Sequence, residues 1–286
     1  MPIRKYMNGP FVIVGMHRSG TSLVSQILDQ SGVFMGLDLQ EDHESKFFIG
    51  LNKWIYENAG ADWARPLAVQ ELMDYQPAKK KVEEYLRLRI ASNSSKKYSG
   101  KKMKKGLFDM NSKWGWKDPR NGPALPIWKE IWPEMKIIHV TRHGVDVAAS
   151  LQTRSSRNWE EDENRFSKWV KMYKWKGSKS PIRRGQRAAT LSHAFDFWYE
   201  QMTIERKILR ECESVLEIRY EDLLTNPESI IEEIWKFVDI EKDSELLEGI
   251  SKSINKDRAF AYKKDKKMCD FALERKEILG NFGYEP

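Results

Sequence analysis

The 286-residue chain is 40% hydrophobic and 12% aromatic, with 11 Trp and 12 Phe, which excludes a disordered chain and suits one sizeable α/β domain. Two cysteines, Cys212 and Cys269, exclude a disulfide framework and a four-thiolate zinc site. The net charge of +7 is uneven: Lys79–Lys105 carries +9 and Lys168–Arg187 carries +8, which leaves −10 on all other residues. Two basic segments on an acidic background fit an anionic ligand or a polyanionic acceptor, although charge runs alone usually form a solvated face. No apolar run is long enough to cross a bilayer and no secretory signal precedes Phe11, so no transmembrane segment is expected and the cytoplasm is the expected setting.

Phe11-Val-Ile-Val-Gly15 predicts a buried strand, and Ser22–Ser31 a helix with Leu23, Val24, Ile27 and Leu28 inward, stopped by Gly32. Glu44–Asn58 predicts a second helix. Residues 76–112 read as a helix followed by a flexible Lys-rich insertion or lid. Trp114–Lys117 and Lys136–Thr141 predict strands, with a helix over Gly144–Thr153 and a separate amphipathic helix over Asn158–Lys176. A long helix over Thr190–Glu211, a strand over Val215–Arg219 and a helix opened by Asn226-Pro227 complete the pattern. This alternation predicts a parallel sheet with helices on both faces.

The strongest local signal is Val14-Gly-Met-His-Arg-Ser-Gly-Thr-Ser22, a Gly-containing turn between a strand and a helix. Such a turn aims backbone N–H groups and a helix N-terminus at a phosphate. The spacing of Gly15 and Gly20 matches a nucleotide-hydrolysing loop, but Thr21 stands where the lysine belongs and the cation comes earlier, at Arg18. The strand Lys136–Thr141 runs into Arg142 rather than the aspartate that holds Mg²⁺ in a nucleotide enzyme. A cation there suits a second phosphate bound without metal.

Four landmarks in order resemble the sulfotransferases that use 3′-phosphoadenylyl sulfate. They are Arg18-Ser-Gly-Thr-Ser22, then Thr141-Arg142 with Ser150 eight residues on, then Ile218-Arg-Tyr-Glu-Asp-Leu-Leu-Thr-Asn-Pro227, and Trp114-Gly-Trp-Lys-Asp-Pro-Arg120 of the bacterial and tyrosylprotein branches. The resemblance covers residues 11 to about 240 and implies a single three-layer domain over 1–286, with a P-loop-type parallel sheet flanked by helices. It further implies a 5′-phosphosulfate site at His17, Arg18, Ser19, Gly20, Thr21 and Ser22. The 3′-phosphate falls to Arg142 and Ser150, the adenine to Tyr220, and the transferring sulfuryl group to Lys117. Tyr220 reads equally well as a packing residue. Leu23 replaces the adenine-stacking Trp of the cytosolic small-molecule branch, and Leu279–Tyr284 matches family C-termini only loosely.

The implied reaction moves a sulfuryl group in line from the cofactor to an acceptor hydroxyl or amine, leaving adenosine 3′,5′-bisphosphate, with no metal required. Arg18 and Lys117 would stabilise charge on the leaving oxygen. The general base should come from Asp38-Leu-Gln-Glu-Asp-His-Glu-Ser45, which holds five ionisable residues. The spacing to Phe48-Ile-Gly-Leu-Asn52 in bacterial relatives points to Glu44, with His43 as runner-up. A helix-start carboxylate favoured by the macrodipole is the plainer account of Glu44. The acceptor is unspecified, with an anionic one permitted by the lysine-rich segments; nucleic acid is not expected as a partner. The competing functions are a metal-dependent kinase or hydrolase, which the missing loop lysine and strand-end aspartate oppose, and a polyanion binder, which leaves Arg18, Lys117 and Arg142 without a role.

Overall fold

The structure, a computed structural model, describes residues 10–171 and 185–286, with only part of the side chains described over 162–171. In chain order it contains β1 (Phe11–Val14), α1 (Thr21–Gln30), α2 (Lys46–Asn58), α3 (Leu67–Asp74), α4 (Gln76–Ala91), α5 (Lys96–Ser99), β2 (Gly115–Lys117) and α6 (Asn121–Ile131). β3 (Lys136–Thr141), α7 (Gly144–Lys171), α8 (Leu191–Leu209), β4 (Val215–Arg219), α9 (Tyr220–Thr225), α10 (Pro227–Phe237), α11 (Ser244–Ser253), α12 (Lys266–Glu274) and α13 (Lys276–Asn281) follow. The four strands form one parallel sheet in the order β2-β1-β3-β4.

The alternation of β1 explains the layers. Val12 and Val14 point to one face, against α2, α4 and α6, while Phe11 and Ile13 point to the other, against α1, α10 and α11. All four are fully buried, because a central parallel strand is covered on both sides. A third apolar cluster packs α7 and α8 against the C-terminal segment, including Leu279, Phe282 and Tyr284. From β1 the chain steps to β2 on one side and β3 on the other. That reversal opens a crevice at the carboxyl ends of β1 and β3, the place where open α/β sheets bind ligands.

After α4, the lysine-rich stretch read as an insertion or lid is anchored through Tyr98 and Leu107, both buried. The Tyr98 hydroxyl donates to the carbonyls of Gly115 (2.6 Å) and Phe34 (3.1 Å), which ties the stretch to the sheet edge. The helix after β3 runs on without the break expected before Asn158, to Lys171. Its Trp159 is exposed, while the side chains of Phe166 and Trp169 and all of Tyr173 and Trp175 lie outside the description. Most of the second basic segment lies there too. Trp198 is a core residue whose indole donates to the carbonyl of Arg142 at 3.2 Å.

Candidate active site

The loop from β1 to α1 turns on two glycines. Gly15 has φ 146° and a Cβ there would lie 2.4 Å from the Val140 carbonyl oxygen. Gly20 is the α1 N-cap at φ 98°, and a Cβ there would lie 2.1 Å from the Tyr220 ring. Only glycine allows both the left-handed backbone and the close approach. Between them Arg18 also adopts positive φ, 71°, an uncommon conformation for a residue with a side chain. Ser19 is buried and turned inward, its hydroxyl donating to the Met16 carbonyl at 2.7 Å, so it shapes the loop from below. The N–H groups of Thr21 and Ser22 begin a ten-residue helix and have no intrahelical acceptor.

A cavity of about 300 Å³ opens over this loop. His17, Arg18, Gly20, Thr21, Ser22, Glu44, Lys117, Arg142 and Tyr220 all line it. Of the residues singled out by sequence, Ser19, His43 and Ser150 do not. Ser150 is nonetheless tied to the site, since its hydroxyl accepts from Arg18 Nε at 2.8 Å. His43 sits at φ 56° in the turn before α2, with its ring Nδ1 buried and unpartnered among the described residues.

Arg142 is held by several groups. Its guanidinium donates to the Arg18 carbonyl (3.1 Å), lies 3.5 Å from Asp146 Oδ2, and covers the Tyr220 ring at 4.8 Å. Its buried Nε has no partner among the described residues. Asp146 also accepts from the N–H groups of Ala261 and Tyr262, so one carboxylate fixes both Arg142 and the C-terminal segment. That segment brings Ser253, Ile254, Asn255 and Arg258 to the cavity. Arg258 was not legible beforehand, because no spacing rule links it to residues that precede it by more than a hundred positions.

Lys117 and Glu44 meet across the cavity as a buried ion pair, Nζ to Oε1 at 3.0 Å. Burial pushes the Glu44 carboxyl above its usual range, with the Lys117 ammonium opposing and Asp118 adding to the rise. The turn that presents Glu44 is fixed by Asp38, which accepts from Ser45 Oγ (2.8 Å) and from the Phe47 N–H (2.6 Å). Of the five ionisable residues in 38–45, Asp38 therefore braces the first turn of α2 and its N-cap Ser45, while Asp42 and Glu44 reach the cavity.

Behind Lys117 lies a buried polar network. Asn52 donates to Asp118 Oδ2 (3.0 Å) and Asn121 Oδ1 (2.8 Å), and accepts from the Trp128 indole (2.9 Å). Asn121 accepts from the Trp116 indole and donates to the Ile13 carbonyl on β1. Asp118 also takes Arg120 through its Nε and N–H. Phe48 stacks on Trp116, centroids 4.1 Å apart. The Phe48–Asn52 and Trp114–Arg120 segments are thus one structure, whose polar members are all satisfied and which fixes the strand end that carries Lys117.

Burial, reinforced by Arg154, Arg120, Lys117 and Arg18, holds the His17 imidazole well below its usual pKa. Its buried ring Nε2 has no partner among the described residues. Among the described residues, no group of three or more His, Cys, Asp or Glu side chains could hold a metal ion. The cavity therefore joins a helix-start loop, arginines at separate positions and a buried Lys–Glu ion pair.

A sulfotransferase family model matches residues 10–244, which includes every element of this cradle up to α10. The chain belongs to the sulfotransferase family. Sulfotransferases move sulfuryl groups, and this one is accordingly an enzyme of that class. Its fold is shared with the sulfotransferase domain of the Synechococcus PCC 7002 olefin synthase, at 16% identity and a TM-score of 0.56, covering 100% of this chain and 98% of that one. A sulfotransferase domain from the curacin biosynthetic pathway aligns at 17% identity and a TM-score of 0.49, over 93% and 96% of the two chains. No curated protein matches. Among the described residues, no helix of the sulfotransferase is long and apolar enough to cross a membrane.

Proposed function

We propose that this sulfotransferase takes 3′-phosphoadenylyl sulfate as donor and transfers its sulfuryl group to an acceptor hydroxyl or amine without a metal. The observation that carries this reading is the convergence, on one cavity, of the α1 N-terminal loop, Arg142 after β3 and the Lys117–Glu44 pair. The residues fit a bisphosphorylated nucleotide. The Arg142 Nε is a buried donor in need of an acceptor, and Tyr220 offers a ring face braced by that arginine. His17, Arg18, Gly20, Thr21 and Ser22 would hold the 5′-phosphosulfate, with Ser19 shaping the loop. Arg142 would hold the 3′-phosphate, with Arg258 beside it. Ser150 would act through Arg18, or turn to the phosphate itself when Arg18 engages the ligand.

The donor supplies an activated sulfuryl group. Its bond to the phosphate oxygen breaks, a bond to the acceptor oxygen or nitrogen forms, and the acceptor's proton leaves. Lys117 and Arg18 stabilise the negative charge on the departing bisphosphate. Glu44 accepts the proton, and its elevated pKa brings it nearer to what a general base needs. His43, outside the cavity lining, is the lesser candidate. The cytoplasm is the proposed setting, consistent with Cys212 and Cys269 both being free.

The test is a thermal-shift comparison of adenosine 3′,5′-bisphosphate with ATP, ADP and GTP in the presence of a chelator. At a hundredfold excess over Kd, a ligand that binds only the native state adds about 2.7 kcal/mol. The bisphosphate should shift the melting temperature by several degrees, and Arg142→Ala should weaken it far more than adenosine 5′-phosphate. Preference for a triphosphate, or a strict need for Mg²⁺, would refute the proposal.

A further inference from the structure

Arg154 lines the cavity, yet none of the roles above uses it. It lies one helical turn beyond Ser150 on α7, so both project from the same face. Its guanidinium lies 4.7 Å over the Trp63 ring, and Trp63 in turn makes an edge contact with the His17 ring, centroids 5.1 Å apart. Burial pulls the Arg154 pKa down, and the nearby Arg18 charge adds to the effect. Asp42 and Glu44 are close enough for their charges to be felt, but among the described residues neither forms an ion pair with it; Glu44 is engaged by Lys117. No described residue accepts a hydrogen bond from the guanidinium. The side chain is a half-buried cation over an indole, and among the described residues its fork of N–H donors meets no acceptor.

Its surroundings place it at one end of the cavity. Its electrostatic neighbours are Arg18, Asp42 and Glu44, and it acts in turn on His17. Arg142, by contrast, is surrounded by Tyr220, Asp146 and Arg258. The cavity thus has a nucleotide end about Tyr220 and Arg142 and a second end about Asp42, Glu44 and Arg154, with Arg18 and His17 between them. If Glu44 is the base, the second end receives the acceptor.

We infer that Arg154, backed by Trp63, is an acceptor-recognition site for an anionic group, so that the natural acceptor carries a carboxylate or a comparable anion near the hydroxyl or amine that is sulfated. This rests on the proposed function for the assignment of the two ends. A planar carboxylate matches the guanidinium fork and removes the penalty of a half-buried, unpaired cation. A neutral acceptor would leave that penalty in place.

The test uses 4-(trifluoromethyl)benzoate and its neutral partner 4-(trifluoromethyl)benzamide as probes, followed by fluorine NMR with the full-length protein saturated with adenosine 3′,5′-bisphosphate. The benzoate should bind roughly tenfold or more tightly than the benzamide, about 1.4 kcal/mol or more. Arg154→Gln should erase that preference, and Arg154→Lys should restore part of it. Calorimetry with the bisphosphate should give the same affinity for wild type and Arg154→Gln. Equal binding of both probes, binding of neither, or a benzoate preference that survives Arg154→Gln would overturn the inference. A loss of bisphosphate affinity in Arg154→Gln would move Arg154 to the donor end and overturn it as well. Failure of wild type to bind the bisphosphate would instead refute the donor assignment; the probe comparison is then made on the unliganded protein, where equal binding still overturns the anion site.

Discussion

His139 gives a stability prediction with a sign and a size. It lies on β3, 2% exposed, with Nε2 3.2 Å from Glu205 Oε2 and Nδ1 3.2 Å from Glu217 Oε2. Burial opposes its charge, but the hydrogen bonds and charges of the two glutamates outweigh that and raise its pKa from 6.5 to about 9. A folded-state pKa above the unfolded one means that protonation favours folding. The contribution is complete below pH 6.5 and is lost as pH rises through about 9. At 1.36 kcal/mol per unit the ceiling is roughly 3 kcal/mol, about half of it remaining midway through that window. Glu217 is 63% exposed, so its share is screened and about 2 kcal/mol is the expected size. His139→Gln keeps a donor for Glu205 but cannot titrate. Urea unfolding of both proteins at mildly acidic, slightly alkaline and strongly alkaline pH should show a large stability gap at the acid end that closes toward the alkaline end. A gap that stays constant with pH would show that His139 contributes packing alone and that the ion pair is not formed. The consequence reaches the site, because Glu205 also accepts from Gln201, which donates to the Pro119 carbonyl beside Lys117.

Two further outcomes test the site itself. Gly20→Ala should cost about 2–4 kcal/mol through a left-handed backbone and a clash with Tyr220, and should abolish bisphosphate binding; adding Tyr220→Ala should recover the steric part only, measured by denaturation and calorimetry in a double-mutant cycle. Glu44→Gln should preserve bisphosphate binding and cut sulfuryl transfer by about 10²–10⁴-fold. The wild-type rate should fall on acidification through a midpoint above that of an ordinary glutamate, since the base works deprotonated and burial raises its pKa, and the limb should vanish in the variant. An unchanged limb in Glu44→Gln would assign it to another group.

What the sequence revealed and what it hid follow from the range of the interactions. β1, the Gly15–Gly20 turn, β3 and the Asn226-Pro227 helix start are written in a few consecutive residues, so patterning and turn chemistry expose them. The two motif segments Phe48–Asn52 and Trp114–Arg120 were legible separately, but not their union, because the Asn52–Asp118 hydrogen bond spans 66 residues. The lysine-rich stretch displays its lysines in the sequence but hides its anchors, the buried Tyr98 and Leu107. Arg154 and Arg258 escaped because a single arginine in a polar run carries no periodic signal. Trp63 escaped likewise, being one aromatic in a short loop.

Glu44 shows why position along the chain is a poor guide to acidity. The residue directly precedes Ser45, the N-cap of α2, whose hydroxyl accepts from the Phe48 N–H. The helix dipole there favours the carboxylate by about 0.3–1 kcal/mol when exposed, which would make a weak base. The fold instead folds the Asp38–Ser45 turn over the cavity and leaves the Glu44 side chain 12% exposed, so desolvation overrides the dipole. Lys117 is then the counterweight that keeps an ionised pair tolerable in that setting. In the proposed reaction the same lysine would meet negative charge on the leaving group. An ammonium turned toward that charge would leave Glu44 without its main stabilising neighbour and raise its proton affinity as the acceptor's proton leaves. On that proposal one ion pair would link stabilisation of the leaving group to strengthening of the base, a coupling that needs both residues buried and in contact, and that neither motif could supply alone.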